Sequence, residues 1–295
     1  MTVIDFIRSS ESDKMDSDDY YRPLTAQGRK QAAALAIKVH EVTYNSIYAS
    51  PLQRTVETVT PLATDHSMTP ILDRRLIGLI NPHQIDNLNQ YRRQQWQDLD
   101  YAQPGGESIH QMQQRILSFC ATLAESDHVA VVTHGTIMSS VVEAFWPGHG
   151  LRFSHRLGYT GQMRLIMKHS EMATLIIPEP FGALGQTVDV TIDRPLGSRH
   201  PRYPEMQYPL NYGYIARQIG GDGQPQDVYV LDEREPLSTW HGRIQAVIHR
   251  SNDIEDKWVG ASTNVSAERI RQATQFQEQY FTSRLMVLDE HQLDN

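Results

Sequence analysis

Apolar residues come in short blocks at Val3 to Ile7, Ser46 to Ala49, Val129 to Thr133 and Gln162 to Met167, and again at Ala173 to Ile177 and Thr187 to Ile192. Blocks of this length bounded by polar residues predict strands. Between the early blocks the period lengthens. Ala32, Leu35, Ala36 and Val39 follow Thr25, and Ile109, Met112, Ile116, Phe119 and Leu123 follow Ser108. Spacings of three and four predict helices with one buried face, and Thr25 and Ser108 are suitable N-caps. Strands alternating with helices predict an α/β sheet. The stretch from Pro178 to Gly185 then gathers two prolines and two glycines between strand-like runs. A connector of this kind divides the 295 residues into expected domains at 1–178 and 187–295, each long enough to bury a core.

In the first part, polar chemistry sits where strands end. Phe6-Ile-Arg-Ser-Ser-Glu-Ser12 follows the first strand, Ser50-Pro-Leu-Gln-Arg54 opens a helix, and Val132-Thr-His-Gly135 closes another strand. Ligands of open α/β sheets gather at the carboxyl ends of strands. Ser50 with Gln53 reads as a capping box with Pro51 at the first helical position, which would bring Arg54 near exposed amides and favour an anion.

With Pro23-Leu-Thr-Ala-Gln-Gly-Arg29 and Pro104-Gly-Gly-Glu-Ser108, these segments resemble the histidine phosphatase superfamily, the group that includes phosphoglycerate mutase. The resemblance implies a three-layer α/β sandwich and a phosphate held by Arg8, Arg54 and His134. Where that family has Arg-His-Gly, this chain has Arg8-Ser9-Ser10, and Gly78 lies where the family offers a glutamate as proton donor. With Ser9 and Gly78 in those places, the resemblance implies a phosphate-binding domain without catalytic residues. A serine hydroxyl needs an adjacent base, and its phosphoester is more inert than a phosphoramidate. Alternatively, Arg8 and Arg54 pair with local carboxylates such as Glu11.

Further along, Tyr208-Pro-Leu-Asn-Tyr-Gly213, Asp222-Gly-Gln-Pro-Gln-Asp227 and Asn252-Asp-Ile-Glu-Asp-Lys257 bring carboxylates, tyrosines and a lysine into about fifty residues. That mixture suits Mg2+, which takes a few carboxylates and lets phosphates complete its shell. The stretch resembles soluble inorganic pyrophosphatase, implying a small OB-like β-barrel with a terminal helix. Carried over, the resemblance makes Asp222, Asp227 and Asp256 metal ligands, Asp253 a further metal-facing acid, and Tyr208, Tyr212, Lys257 and Tyr280 phosphate contacts. Gln224 replaces an aspartate of that pattern. Lys257, on a strand edge beside Glu255 and Asp256, would equally serve in a solvated ion pair. The leading expectation is Mg2+-dependent hydrolysis of a phosphoanhydride, foremost pyrophosphate, by the second domain. The alternatives are a non-catalytic phospholigand sensor or scaffold, and a phosphomonoesterase or mutase in the first domain.

A formal charge of −8 argues against nucleic acid as a partner. A small phosphorylated ligand remains the expected partner, with a homo-oligomer possible. No apolar run approaches a membrane span, and Met1 to Phe6 carries no basic leader, so a cytoplasmic protein is expected. The one cysteine, Cys120, lies beside an apolar helical stripe and reads as an inert buried thiol.

Overall fold

The chain divides into a unit at Met1–Met172 and another that begins at Ala173. The computed structural model describes residues 1–13, 15, 18–169 and 171–289. In the first unit the strands are β1 (Thr2–Arg8), β2 (Ser46–Ala49), β3 (Ile71–Leu72), β4 (His128–Thr133) and β5 (Gln162–Lys168), in the order β5-β1-β4-β2-β3. β1, β4, β2 and β3 are mutually parallel, and β5 runs antiparallel along β1. Helices α1 (Ala26–Lys38), α2 (Gln53–Asp65), α3 (Leu88–Gln97), α4 (Ile109–Cys120), α5 (Gly135–Phe145) and α6 (Gly150–Arg156) complete it.

Alternation along the strands explains the layers. Ile7, Ile47, Ala49, Ala130 and Val132 pack with Leu35, Ala36 and Val39 of α1 and Val59, Leu62 and Ala63 of α2. Their neighbours Ile4, Phe6, Val129 and Val131 are equally buried, as they must be when both faces of a parallel sheet are covered. α4 and α5 pack against each other, and α5 also contacts β1. Thr25 caps α1 through the Gly28 amide, and Ser108 with Gln111 forms a complete capping box on α4. Leu123 falls beyond the last turn of α4. Cys120 is buried, and burial pushes its thiol up to about 12, which leaves it unreactive.

The second unit holds most of β6 (Glu171–Ile177), then β7 (Thr187–Arg194), β8 (Asn211–Ile219), β9 (Pro225–Leu231), β10 (Thr239–Arg250), β11 (Lys257–Ala261), α7 (Ala267–Glu278) and β12 (Ser283–Leu288). The order β11-β9-β8-β7-β10 closes through a β10–β11 pairing into a five-stranded barrel, and β12 and β6 extend it beyond β10. Tyr212, Tyr229, Leu231, Ile248, Val259 and Ala261 fill it, with Ile270 of α7 packed on them. Gly213 is obligatory: a Cβ there would stand 2.0 Å from the Thr191 carbonyl oxygen. The segment from Pro178 to Gly185 joins β6 to β7 inside this unit.

Candidate functional site

Strand register brings the first site together. Arg8 pairs with Thr133 at the carboxyl ends of β1 and β4, so Ser9 and His134 emerge side by side, with the Ser9 amide donating to the Thr133 carbonyl at 2.8 Å. β2 ends next to them, where the Ser50 amide donates to the Val132 carbonyl at 3.0 Å. Ser50 does not cap α2 as its sequence suggests: the N-cap is Leu52, without a side-chain cap, and the fully buried Ser50 hydroxyl faces His134 Nε2 at 2.9 Å. The hydroxyl holds an imidazole in place of the helix end.

Arg54 Nη2 lies 3.2 Å from His134 Nδ1. Because a guanidinium only donates, Nδ1 accepts and the ring proton sits on Nε2, directed at Ser50. Burial, then Arg54, Arg115 and Arg8, hold the His134 pKa well below the ordinary imidazole value. The ring is therefore neutral. A neutral buried histidine favours the folded state above its unfolded pKa, and that contribution is lost as pH falls below about 6.5. Urea titrations below pH 6.5 are expected to show stability falling by up to about 1.4 kcal/mol per pH unit from this residue. In His134→Gln the acid slope is expected to be shallower.

Arg8 donates to the Leu157 carbonyl and lies over the Tyr159 ring at 4.6 Å. Arg54 also donates to the Asp19 carbonyl at 2.7 Å and to its carboxylate at 3.3 Å. Glu11, the anticipated partner, instead accepts from Thr25 Oγ1 at 3.0 Å. Gly135 opens α5 with no side chain capping its first amides, so they face the same space as the arginines. Gly78 is there too: a Cβ on it would meet the His134 ring at 3.4 Å. Arg115 fixes that segment by donating to the carbonyls of Arg75, Ile77 and Gly78, and is itself held by Glu107.

Arg8, Ser9, Arg54, Gly78 and His134 thus line one cleft of about 730 Å³. Sequence reasoning missed its outer wall, formed by Asp19, Arg22, Arg92 and Arg93. A signal was present in α3: no carboxylate occurs from Asn87 to Gln97, although the segment contains two arginines.

The barrel brings together only some of the residues assigned to it. Tyr212 Oη donates to Asp227 at 2.5 Å, Lys257 donates to both Asp227 and Glu255, and the Tyr208 ring packs 5.5 Å from Tyr212. Asp222 is exposed and accepts from the Gln224 amide at 2.8 Å. Asp253 pairs with Arg250 at 3.0 Å, Asp256 faces His249 Nδ1 at 2.8 Å, and Tyr280 is 65% exposed. The expected convergence of Asp222, Asp227, Asp253 and Asp256 on Mg2+ is corrected: among the described residues no three His, Cys, Asp or Glu side chains are grouped to hold a metal. The ammonium of Lys257 already meets Asp227 and Glu255, so these residues do not fit the ion. Nor is Lys257 solvated, at 5% side-chain exposure. Lys257→Met is expected to destabilise the protein by about 3–5 kcal/mol in urea, because two carboxylates lose their buried counter-ion. The loss should shrink as pH falls and Glu255, whose pKa burial raises, protonates.

The sequence profile described as "Histidine phosphatase superfamily (branch 1)" matches residues 16–173. A protein described as "Probable phosphoglycerate mutase GpmB" from Shigella dysenteriae is 31% identical over 132 residues, covering 41% of this chain and 61% of that protein. This chain therefore spans less than two thirds of that relative. Among solved structures, a phosphoserine phosphatase mutant from Entamoeba histolytica in complex with phosphoserine aligns with a TM-score of 0.47 and 21% identity, over 59% of this chain and 94% of that one. The α-ribazole phosphatase from Shigella flexneri aligns with a TM-score of 0.47 and 19% identity, over 58% and 93%. The sequence matches overturn the expected Mg2+-dependent pyrophosphatase function: they are of histidine phosphatase and mutase type. Among the described residues no helix is long and apolar enough to cross a membrane.

Proposed function

The chain belongs to branch 1 of the histidine phosphatase superfamily, and from that premise we propose that its first unit binds the phosphoryl group of a phosphate monoester without forming a phosphohistidine. The observation that carries this reading is the convergence of Arg8, Arg54, neutral His134 and the uncapped start of α5 on one cleft that Ser9 also lines. Arginine forks match phosphate oxygens, helix amides add donors, and burial strengthens each contact. Ser9 occupies the nucleophile's place, and Gly78 that of the proton donor. Among the described residues no imidazole or carboxylate accepts from the Ser9 hydroxyl, and both nitrogens of His134 are engaged by Ser50 and Arg54. The serine is left without a base.

A second reading is supported by the mutase relatives: the same cleft turns over phosphate monoesters. Phenyl phosphate separates the two. The first reading predicts calorimetric binding with no phenol released above the buffer blank. Steady phenol release that disappears in Arg8→Ala would favour the second, and absence of binding would reject both.

A further inference from the structure

The second unit has a cleft of its own, of about 720 Å³, between the turn that precedes β8 and the end of α7. His200 and Tyr203 come from the turn, and Phe276, Tyr280 and Phe281 from the last turn of α7 and the residues just beyond it. Backbone bonds fix the turn: Arg199 bridges to Gln207, and the His200 amide donates to the Met206 carbonyl at 2.9 Å. His200 Nδ1 accepts from the Arg202 and Tyr203 amides at 3.1 and 3.2 Å, which seats its ring 5.0 Å from that of Tyr203. Opposite, Phe276 packs edge-on against the buried Tyr208 at 5.4 Å. Tyr203 and Tyr280 remain 55% and 65% exposed. Two large rings left in water beside a concavity offer apolar surface that a ligand would cover.

Charge selects the ligand. Among the described residues no lysine or arginine lines the cleft, Arg199 and Arg202 of the same turn included, and Glu205 is its one carboxylate. Glu205 makes no hydrogen bond or ion pair with another described residue. α7 ends here without a basic residue in its last turn, and the carboxyl end of a helix carries partial negative charge. Both features favour a cation and oppose a phosphate. The chain already places one cation on this aromatic wall: the Arg250 guanidinium lies 3.7 Å from the centre of the Phe281 ring. Glu278 and Asp253 match the charge of Arg250, so it does not oppose a second cation. Hydrogen-bonding groups are few. Gln207 and Gln279 donate to the Gly197 and Phe276 carbonyls at 3.0 and 3.1 Å, and Gln277 accepts from Tyr229 at 3.0 Å. A primary ammonium needs three acceptors, whereas an alkylated one presents methyl groups to ring faces.

We infer that this cleft binds an organic cation with an alkylated ammonium group, held by the faces of Tyr203 and Tyr280 with Glu205 as its counter-charge. The cleft is larger than such a head group, so the body of the ligand lies along Phe276 and Met206. The inference concerns the second unit and is independent of the phosphate reading of the first.

Proton NMR titration of the full chain with three probes tests it: choline, its uncharged carbon isostere dimethylbutanol, and the primary ammonium ethanolamine. The choline methyl resonances are expected to move upfield to saturation, the signature of protons over ring faces. Choline should bind at least about fivefold more tightly than either other probe. In a Tyr203→Leu/Tyr280→Leu double variant, the ratio between choline and dimethylbutanol should fall to about one while the melting curve is kept, because both rings are exposed. Tyr280→Trp should tighten choline, since indole offers the strongest face for a cation. Glu205→Gln should weaken it by about threefold, and most at low salt. No saturable shift with choline would overturn the inference. So would dimethylbutanol or ethanolamine binding as tightly as choline, or a folded double variant that keeps the ratio.

Discussion

Arg8→Ala is expected to weaken binding of phenyl phosphate by roughly a hundredfold, with little change in thermal stability. The magnitude follows from charge-assisted hydrogen bonds, each worth about 1.5–3 kcal/mol, where a tenfold change is about 1.4 kcal/mol. Arg8 has one backbone acceptor, the Leu157 carbonyl, and a ring beneath it, Tyr159. Partial burial lowers its pKa without discharging it, so a half-buried cation stands at the end of β1. Its side chain is only partly covered, and truncation removes neither a core contact nor a capped helix. Arg8→Lys is expected to recover only part of the affinity, because an ammonium lacks the planar fork. Loss of the folded baseline in Arg8→Ala would assign the residue a structural role instead.

Ser9→His carries the second large effect. An imidazole at the end of β1 would stand beside His134, with Arg8 and Arg54 placed to hold the phosphoryl group in transfer. The variant is expected to gain an acid-labile phosphoenzyme on exposure to phenyl phosphate, absent from the wild type. Adding Gly78→Glu should then raise phenol release by about a hundredfold or more, the usual contribution of a general acid. The backbone admits that change: a Cβ at Gly78 meets the His134 ring at 3.4 Å, an ordinary contact. Should Ser9→His fold normally and incorporate no phosphate, Ser9 does not occupy the nucleophile's place.

Much of the first unit was legible because its signals are local. Strand blocks at Val3 to Ile7 and Ser46 to Ala49 are short apolar runs, and Thr25 and Ser108 cap the helices that follow them. The Ser50 capping box failed for a reason no local pattern contains. Its hydroxyl is claimed by His134, which is 84 residues away in sequence. Asp19 was equally invisible, since its bond to Arg54 spans 35 residues.

In the second unit the local pattern misled. Asp222, Asp227, Asp253 and Asp256 have the composition of a hard-cation site, but composition does not say which acid meets which base. The β9–β11 pairing sets Lys257 near Asp227, and Glu255 closes on the same ammonium. His249 and Arg250 on β10 occupy Asp256 and Asp253. These partners all come from within the chain.

The most direct test of the central claim is a crystal structure of the protein with inorganic phosphate. A phosphate is expected between Arg8, Arg54, His134 and the first amides of α5, with Arg8 released from Leu157 and Arg54 drawn from Asp19. A well-ordered cleft that keeps Arg8 on Leu157 and Arg54 on Asp19, with no phosphate between them at saturating concentration, would contradict it.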